Sequence, residues 1–153
     1  MVREILMLGT GNAFLPNGRH HSFVIFDQRH IVDAPPTSLI SLREHGLKVC
    51  DIETIFITHL HGDHIFGLPG LLATINEYRK VPLHLYGPLG LKKFIDNTLC
   101  NPYCAIDEYE IIIHEYNHVY DIINEINYKQ NSYKIESCFV THREFCYAYK
   151  ITK

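Results

Sequence analysis

Near its middle the chain reads Thr58-His59-Leu60-His61-Gly62-Asp63-His64, directly after the apolar run Ile55-Phe56-Ile57. The apolar run predicts a buried strand over residues 54–58, with the polar residues at its carboxyl end. Because alternate side chains of an extended segment point the same way, His59 and His61 can reach one cation. Neutral imidazole is a good zinc ligand, so the sequence predicts a metal site at the end of this strand.

Asp63 and His64 offer ligands for a second cation. Gly62 is expected to let the backbone turn sharply, so that both side chains leave the loop on a different heading. A carboxylate can also position the attacking water or accept its proton, which makes Asp63 the predicted catalytic residue. A structural alternative is that Asp63 caps the helix that follows. Four ligands in one loop favour a pair of metal ions, an arrangement that suits phosphodiester cleavage.

Hydrophobic periodicity on both sides of this loop predicts helices and strands that mix along the chain. The predicted strands cover residues 3–8, 54–58, 83–86, 109–118 and 133–140, and a hairpin joins 23–26 to 31–32. The predicted helices cover residues 39–47, 91–99 and a segment that begins near Gly67. Residues 119–132 have no clear pattern. Helices that cover a sheet within one domain are the expected class, either α/β or α+β.

Charge and hydropathy exclude several classes of protein. The 14 lysines and arginines against 17 aspartates and glutamates give a formal net charge of −3, so no basic field indicates a nucleic-acid binder. No apolar run approaches the ~20 residues that cross a bilayer, and the apolar start is too short for a secretory signal. We therefore expect a cytoplasmic protein without a membrane span.

The five cysteines are expected to be free thiols, because their number is odd and no secretory signal precedes them. Cys100 and Cys104 are four residues apart and resemble half of a metal site. Pro102 lies between them, and no second cysteine pair accompanies them. We expect no metal there.

Over residues 8–151 the chain resembles the ribonuclease Z-like branch of the metallo-β-lactamase superfamily. The likeness consists of landmarks in the same order. These are Gly9-Thr10-Gly11, Arg19, Ser22, Asp33, the run from Ile57 to His64 with Gly67-Leu68-Pro69, Leu85-Tyr86-Gly87-Pro88-Leu89-Gly90-Leu91, Val140-Thr141-His142 and Tyr147-Ala148-Tyr149.

The resemblance implies an α+β fold, the αββα metallo-β-lactamase sandwich, with two zinc ions or, alternatively, manganese or iron. It also implies that His59, His61 and His142 hold the first ion and that Asp63 and His64 hold the second. The other histidines match no ligand position of the family; they are His20, His21, His30, His45, His84, His114 and His118. His84 and His114 are expected to face the interior.

The family places a bridging aspartate and a last metal-binding histidine in a second αβ half, which is not found in residues 1–153. The expectation is therefore a single metallo-β-lactamase-like domain, truncated at its carboxyl end, that contains only the N-terminal αβ half. Such a half would leave a sheet edge and an apolar face uncovered, so a homodimer or a complementing C-terminal half is the expected partner.

The expected activity is hydrolysis of phosphodiesters by metal-activated water, with RNA, tRNA 3′ ends or related molecules as substrates. Two alternatives stay open. The chain is a catalytically incomplete fragment that binds metal weakly or needs a complementing half, or it hydrolyses another bond such as a thioester, lactone or lactam. The arm that some ribonuclease Z enzymes use to grip tRNA is not recognisable in the sequence.

Overall fold

The computed structural model describes residues 4–15, 17–99, 106–116, 120–128 and 131–152. Within these ranges the chain forms nine strands and four α-helices. The strands are β1 (Ile5–Gly9), β2 (Phe23–Phe26), β3 (His30–Val32), β4 (Thr54–Phe56), β5 (Leu83–Pro88), β6 (Ile111–Tyr116), β7 (Tyr120–Tyr128), β8 (Asn131–Val140) and β9 (Cys146–Thr152). The helices are α1 (Ser38–Glu44), α2 (Gly62–Ile65), α3 (Leu68–Asn76) and α4 (Leu91–Leu99), and a 3-10 turn spans Val49–Asp51.

The first six strands form one sheet in sequence order. β1, β2 and β3 pair antiparallel, whereas β3, β4, β5 and β6 pair parallel. Each parallel connection contains a helix, as the geometry of such crossovers requires. Ile55 and Leu85 belong to the core under the helices, while Phe56 and Tyr86 belong to a second core on the opposite face of the sheet. The alternation along β4 and β5 therefore buries both faces.

The last three strands form a second, antiparallel sheet in the order β7, β8, β9. This sheet packs on the second core through Ile135 and Tyr147. The hydroxyl of Tyr149 donates a hydrogen bond of 2.7 Å to the carbonyl of Ile57, which fixes β9 above the end of β4. The result is a layer of helices, a six-stranded sheet and a three-stranded sheet. β7 lies in the segment that the sequence pattern did not assign.

The predicted boundaries agree with the structure where a defined turn sets them. The helix predicted to close at Gly46 ends in a Schellman arrangement, with Gly46 at φ 69° and Leu47 N bonded to the carbonyl of Leu42. α3 begins directly after Gly67, as predicted. β4 ends two residues earlier than predicted, because the backbone N–H of Thr58 donates to the Asp33 carboxylate instead of a neighbouring strand.

Other expectations concern the cysteines and membrane spans. Cys50, Cys138 and Cys146 are free thiols, and Cys100 and Cys104 lie outside the described residues. No helix in the described part of the chain is long and apolar enough to cross a bilayer.

A pH dependence of stability is expected from His30. This side chain is 1% exposed, stacks on Phe26 with 4.8 Å between ring centroids, and has its pKa lowered to about 4 by burial. At pH values between about 6.5, the pKa of an unfolded histidine, and about 4, the His30 side chain binds a proton in the unfolded state but not in the folded state. The free energy of unfolding therefore falls as pH falls through this range. The loss of stability from this one group amounts to about 3 kcal/mol once pH is below 4.

Denaturant unfolding of the parent protein and His30→Phe at pH 7 and pH 4.5 measures this effect. We expect the parent to lose more stability than the variant, because phenylalanine keeps a planar ring but does not titrate. Equal losses in both proteins would contradict the assignment to His30.

Candidate metal centre

Three imidazoles converge at the edge of the six-stranded sheet where its parallel strands end. His59 and His61 follow β4, and His142 comes from the hairpin between β8 and β9. Their ligand atoms all lie within 4.8 Å of one another, and His59 Nε2 is 3.1 Å from His61 Nδ1. Tetrahedral zinc with bonds of about 2.0–2.1 Å holds two nitrogens roughly 3.3 Å apart. These three side chains could therefore hold one such ion.

The position of His142 depends on contact between the two sheets. Backbone N–H of Tyr147 donates a hydrogen bond of 2.9 Å to the carbonyl of Thr58, the residue before His59. This bond attaches the start of β9 to the end of the metal loop. The ring of His142 lies 4.7 Å from that of His59 and 5.0 Å from that of His61, measured between centroids. The hairpin thus brings a distant part of the chain to the site.

Asp63 and His64 stand beside this cluster, in α2. His64 Nδ1 is 2.7 Å from Asp33 Oδ2, and its Nε2 is 3.5 Å from Asp63 Oδ2. Among the described residues, the ligand atoms that converge within 4.8 Å belong to the three other histidines alone. The residue that caps α2 is His61, and Gly67 caps α3. The alternative that Asp63 caps a helix is therefore wrong.

Asp33 organises the metal loop, a role that the sequence reasoning missed. Its Oδ1 accepts hydrogen bonds from the backbone N–H of Thr58 at 2.8 Å and from the Thr58 hydroxyl at 2.9 Å. A hydroxyl has a single hydrogen, so the Thr58 oxygen accepts from His59 Nδ1, 2.9 Å away. This leaves His59 Nε2 without a proton and available to a metal ion. The carboxylate orients His64 through its other oxygen.

The position of Asp33 offered a signal that could have been recognised. It directly follows the buried strand β3, which pairs with β4 in parallel, so both strands end at the same edge. The backbone of Asp33 has φ 66°, a left-handed conformation that aspartate tolerates better than most residues. An acidic residue directly after an apolar strand is therefore a candidate orienting group for a neighbouring metal loop.

The pKa values of His59 and His64 shift in opposite directions. The pKa of His59 is lowered to about 4, mainly by burial and also by the neighbouring imidazoles of His64, His61 and His142, while the charge of Asp33 opposes the shift. Burial also lowers the pKa of His64, but the hydrogen bond to Asp33 and the charges of Asp33 and Asp63 outweigh it, so the net shift is upward. The neutral ring of His59 is the form that binds a metal ion.

Gly62 has a different role from the one expected. Its φ is not in the left-handed region, so backbone freedom is not the reason for glycine here, and that expectation is wrong. A Cβ at this position would lie 2.5 Å from the ring of Phe66. The glycine thus leaves room for the ring of Phe66, which is 65% exposed and would have to move aside for a larger residue.

The remaining histidines have other partners. His20 Nε2 contacts Glu44 at 2.6 Å, and His45 Nδ1 contacts the carbonyl of Ser41 at 2.8 Å. His84 and His114 lie 3.2 Å apart on neighbouring strands, on the sheet face that holds Tyr86. Both are half-buried on this face, which lies toward the second core. His118 lies outside the described residues.

Comparisons with known proteins agree with this fold. The family model described as Anti-Pycsar protein Apyc1 matches residues 3–152. Ribonuclease Z of Halalkalibacterium halodurans is 41% identical over 103 residues, which cover 67% of this chain and 31% of that protein. Zinc phosphodiesterase ELAC protein 1 of Homo sapiens is 40% identical over 107 residues, which cover 65% of this chain and 30% of that protein.

A solved structure extends the likeness to nearly the whole chain. Human tRNase Z, short form, superposes with a TM-score of 0.80 at 28% identity, covering 97% of this chain and 64% of that one. The chain spans about a third of the length of the curated relatives that it matches. The predicted fold class, an α+β metallo-β-lactamase sandwich, is confirmed. The chain belongs to the Anti-Pycsar protein Apyc1 family, within the ribonuclease Z-like branch of the metallo-β-lactamase superfamily.

Proposed function

We propose that this protein is a metal-dependent phosphodiester hydrolase in which His59, His61 and His142 hold one metal ion. The observation that supports this most strongly is the convergence of the three imidazoles within 4.8 Å. The likeness to proteins named ribonuclease Z and zinc phosphodiesterase favours zinc and a phosphodiester. Metal ions bound here would supply a water of lowered pKa and positive charge next to the phosphoryl oxygens.

The chain's own residues have separate roles in this proposal. Asp63 and His64 hold a second ion, and Asp63 positions the attacking water or accepts its proton. Asp33 does not touch the substrate; it holds His64 and, through Thr58, His59. Zinc is preferred to manganese or iron because a set of three imidazole ligands suits it. A cytoplasmic location is part of the proposal.

Cleavage of bis(p-nitrophenyl) phosphate by protein loaded with Zn²⁺ or Mn²⁺ tests the activity. We expect His61→Ala to abolish cleavage, because it removes one of three converging ligands. His45→Ala is the matched control and should cleave at the parent rate, since His45 caps α1 on the surface. Equal rates for the parent and His61→Ala would overturn the proposal.

The bond and the size of the substrate are tested separately. A panel of phosphodiesters, from aryl esters through linear and cyclic nucleotide diesters to a structured RNA, is compared with a thioester, a lactone and a lactam. Faster turnover of any of the last three would reassign the reaction. Metal analysis of the untreated protein reports whether the chain holds two equivalents, as proposed, or one.

A second candidate is a fragment that is active only in association with another chain. The observation that favours it is the exposure of Ile5 and Met7, which are 63% and 57% exposed. Ile5 and Met7 lie opposite Phe26 and Val24 in the strand pair, so their side chains are on the same sheet face. Phe26 belongs to the second core, which β7, β8 and β9 cover. We propose that a second copy or a complementing C-terminal half covers this face. A monodisperse monomer by light scattering, active without any partner, would rule this candidate out.

A further inference from the structure

The hairpin that carries His142 also carries an exposed aromatic pair. Phe139 lies near the end of β8, and Phe145 directly precedes β9. Their ring centroids are 6.1 Å apart in a T-shaped contact, and Phe139 makes a second such contact with buried Tyr147. Phe139 is 39% exposed and Phe145 is 63% exposed. Phe145 is thus supported by the second core while much of its surface faces solvent.

The pair lies close to the imidazole cluster. Phe145 follows His142 by three residues, so their Cα atoms are at most about 11 Å apart. The ring of His142 lies 4.7 Å from that of His59. A nucleotide whose phosphodiester is at the cluster can therefore direct its base toward Phe145.

The surroundings favour an apolar contact over an ionic one. Arg143 and Glu144 are both exposed in the same hairpin loop, and their adjacent opposite charges largely cancel at a distance. Phe66, directly after the metal loop, and Leu89, directly after β5, are also exposed at this edge of the sheet. Several large apolar side chains are thus exposed on the segments next to those that carry the imidazoles.

We infer that Phe145, supported by Phe139, stacks on a nucleobase of the phosphodiester bound at the imidazole cluster. This inference rests on the proposed function and assigns the side chain that contacts the base. Stacking on an aromatic ring tolerates every base, because each base has a π face. The site should therefore prefer nucleoside esters to simple alkyl esters without strong selection among bases.

Two esters with the same leaving group test the inference in the zinc-loaded protein. They are thymidine 5′-(p-nitrophenyl phosphate) and methyl p-nitrophenyl phosphate. Phe145→Ala is expected to lower kcat/KM roughly 5- to 150-fold for the thymidine ester only. Phe145→Tyr should keep the parent preference. Tyr78→Ala removes an exposed aromatic ring just after the far end of α3 and should change neither rate.

A binding measurement separates the two proposals without turnover. Calorimetry with zinc-loaded protein compares thymidine 5′-monophosphate with inorganic phosphate. We expect Phe145→Ala to weaken binding of the nucleotide by the same factor and to leave the affinity for phosphate unchanged. An unchanged preference for the nucleotide in the variant would overturn the stacking role, even if both esters are cleaved. The parent protein could cleave neither ester and still prefer the nucleotide to phosphate, with that preference lost in Phe145→Ala. Such a result would overturn only the proposed hydrolase activity.

Discussion

Asp33→Ala is expected to weaken zinc binding 10- to 100-fold and to lower the free energy of unfolding by about 3–5 kcal/mol. The carboxylate is 5% exposed and accepts hydrogen bonds from Thr58 and His64. Removing it leaves the Thr58 N–H and the His64 Nδ1 without their acceptor. The Thr58 hydroxyl is then no longer oriented by Asp33, so it no longer fixes the tautomer of His59. Alanine also tolerates the left-handed φ of 66° less well than aspartate.

Two further variants separate the orienting role from general loss of structure. Asp33→Asn tolerates the same backbone conformation and keeps one acceptor oxygen, so it should recover most of the stability but less of the zinc affinity. Asp51→Ala removes an exposed carboxylate from the 3-10 turn and should match the parent. The measurements are urea unfolding and competition with a chromophoric zinc chelator. Parent-like zinc affinity in Asp33→Ala would contradict the role given to this residue.

Gly67→Ala is expected to destabilise the fold by more than about 3 kcal/mol, a large share of the stability of a typical domain. A Cβ at this position would lie 1.9 Å from the carbonyl oxygen of Pro35, and 2.7 Å from Ser38 Oγ. The first of these atoms is backbone and cannot rotate away. Gly67 N–H also donates to the carbonyl of Ala34, so any shift separates α3 from the loop that contains Asp33.

Gly70→Ala, inside α3, is the matched control. The nearest atom to its added Cβ is Leu39 Cδ1 at 3.8 Å, an ordinary contact. Replacing a glycine in a helix interior by alanine typically stabilises by about 0.5–1 kcal/mol. Urea unfolding should therefore give opposite signs for the two variants. A loss below about 1 kcal/mol for Gly67→Ala would show that the Pro35 loop moves freely.

Strands and helices were predicted correctly from the sequence where hydrophobic periodicity alone defines them. β2, β3, β5 and α4 formed where periodicity placed them, because their apolar residues face a core with the expected spacing. β7 was not assigned, since its partner β8 rather than its own pattern defines it. A sharp backbone turn was the wrong reason for the glycine at position 62, because its φ is not left-handed and the space beside it holds the ring of Phe66.

The metal loop was readable from the sequence because its candidate ligands are adjacent. An extended segment puts His59 and His61 on one side whatever the rest of the chain does. The resemblance to a known family suggested His142, but only the bond from Tyr147 to Thr58 shows how it reaches the others. Asp33 acquired its role in the same way. Contacts between strands that are distant in sequence depend on how the sheets pair and pack, and residue order alone does not encode those distances.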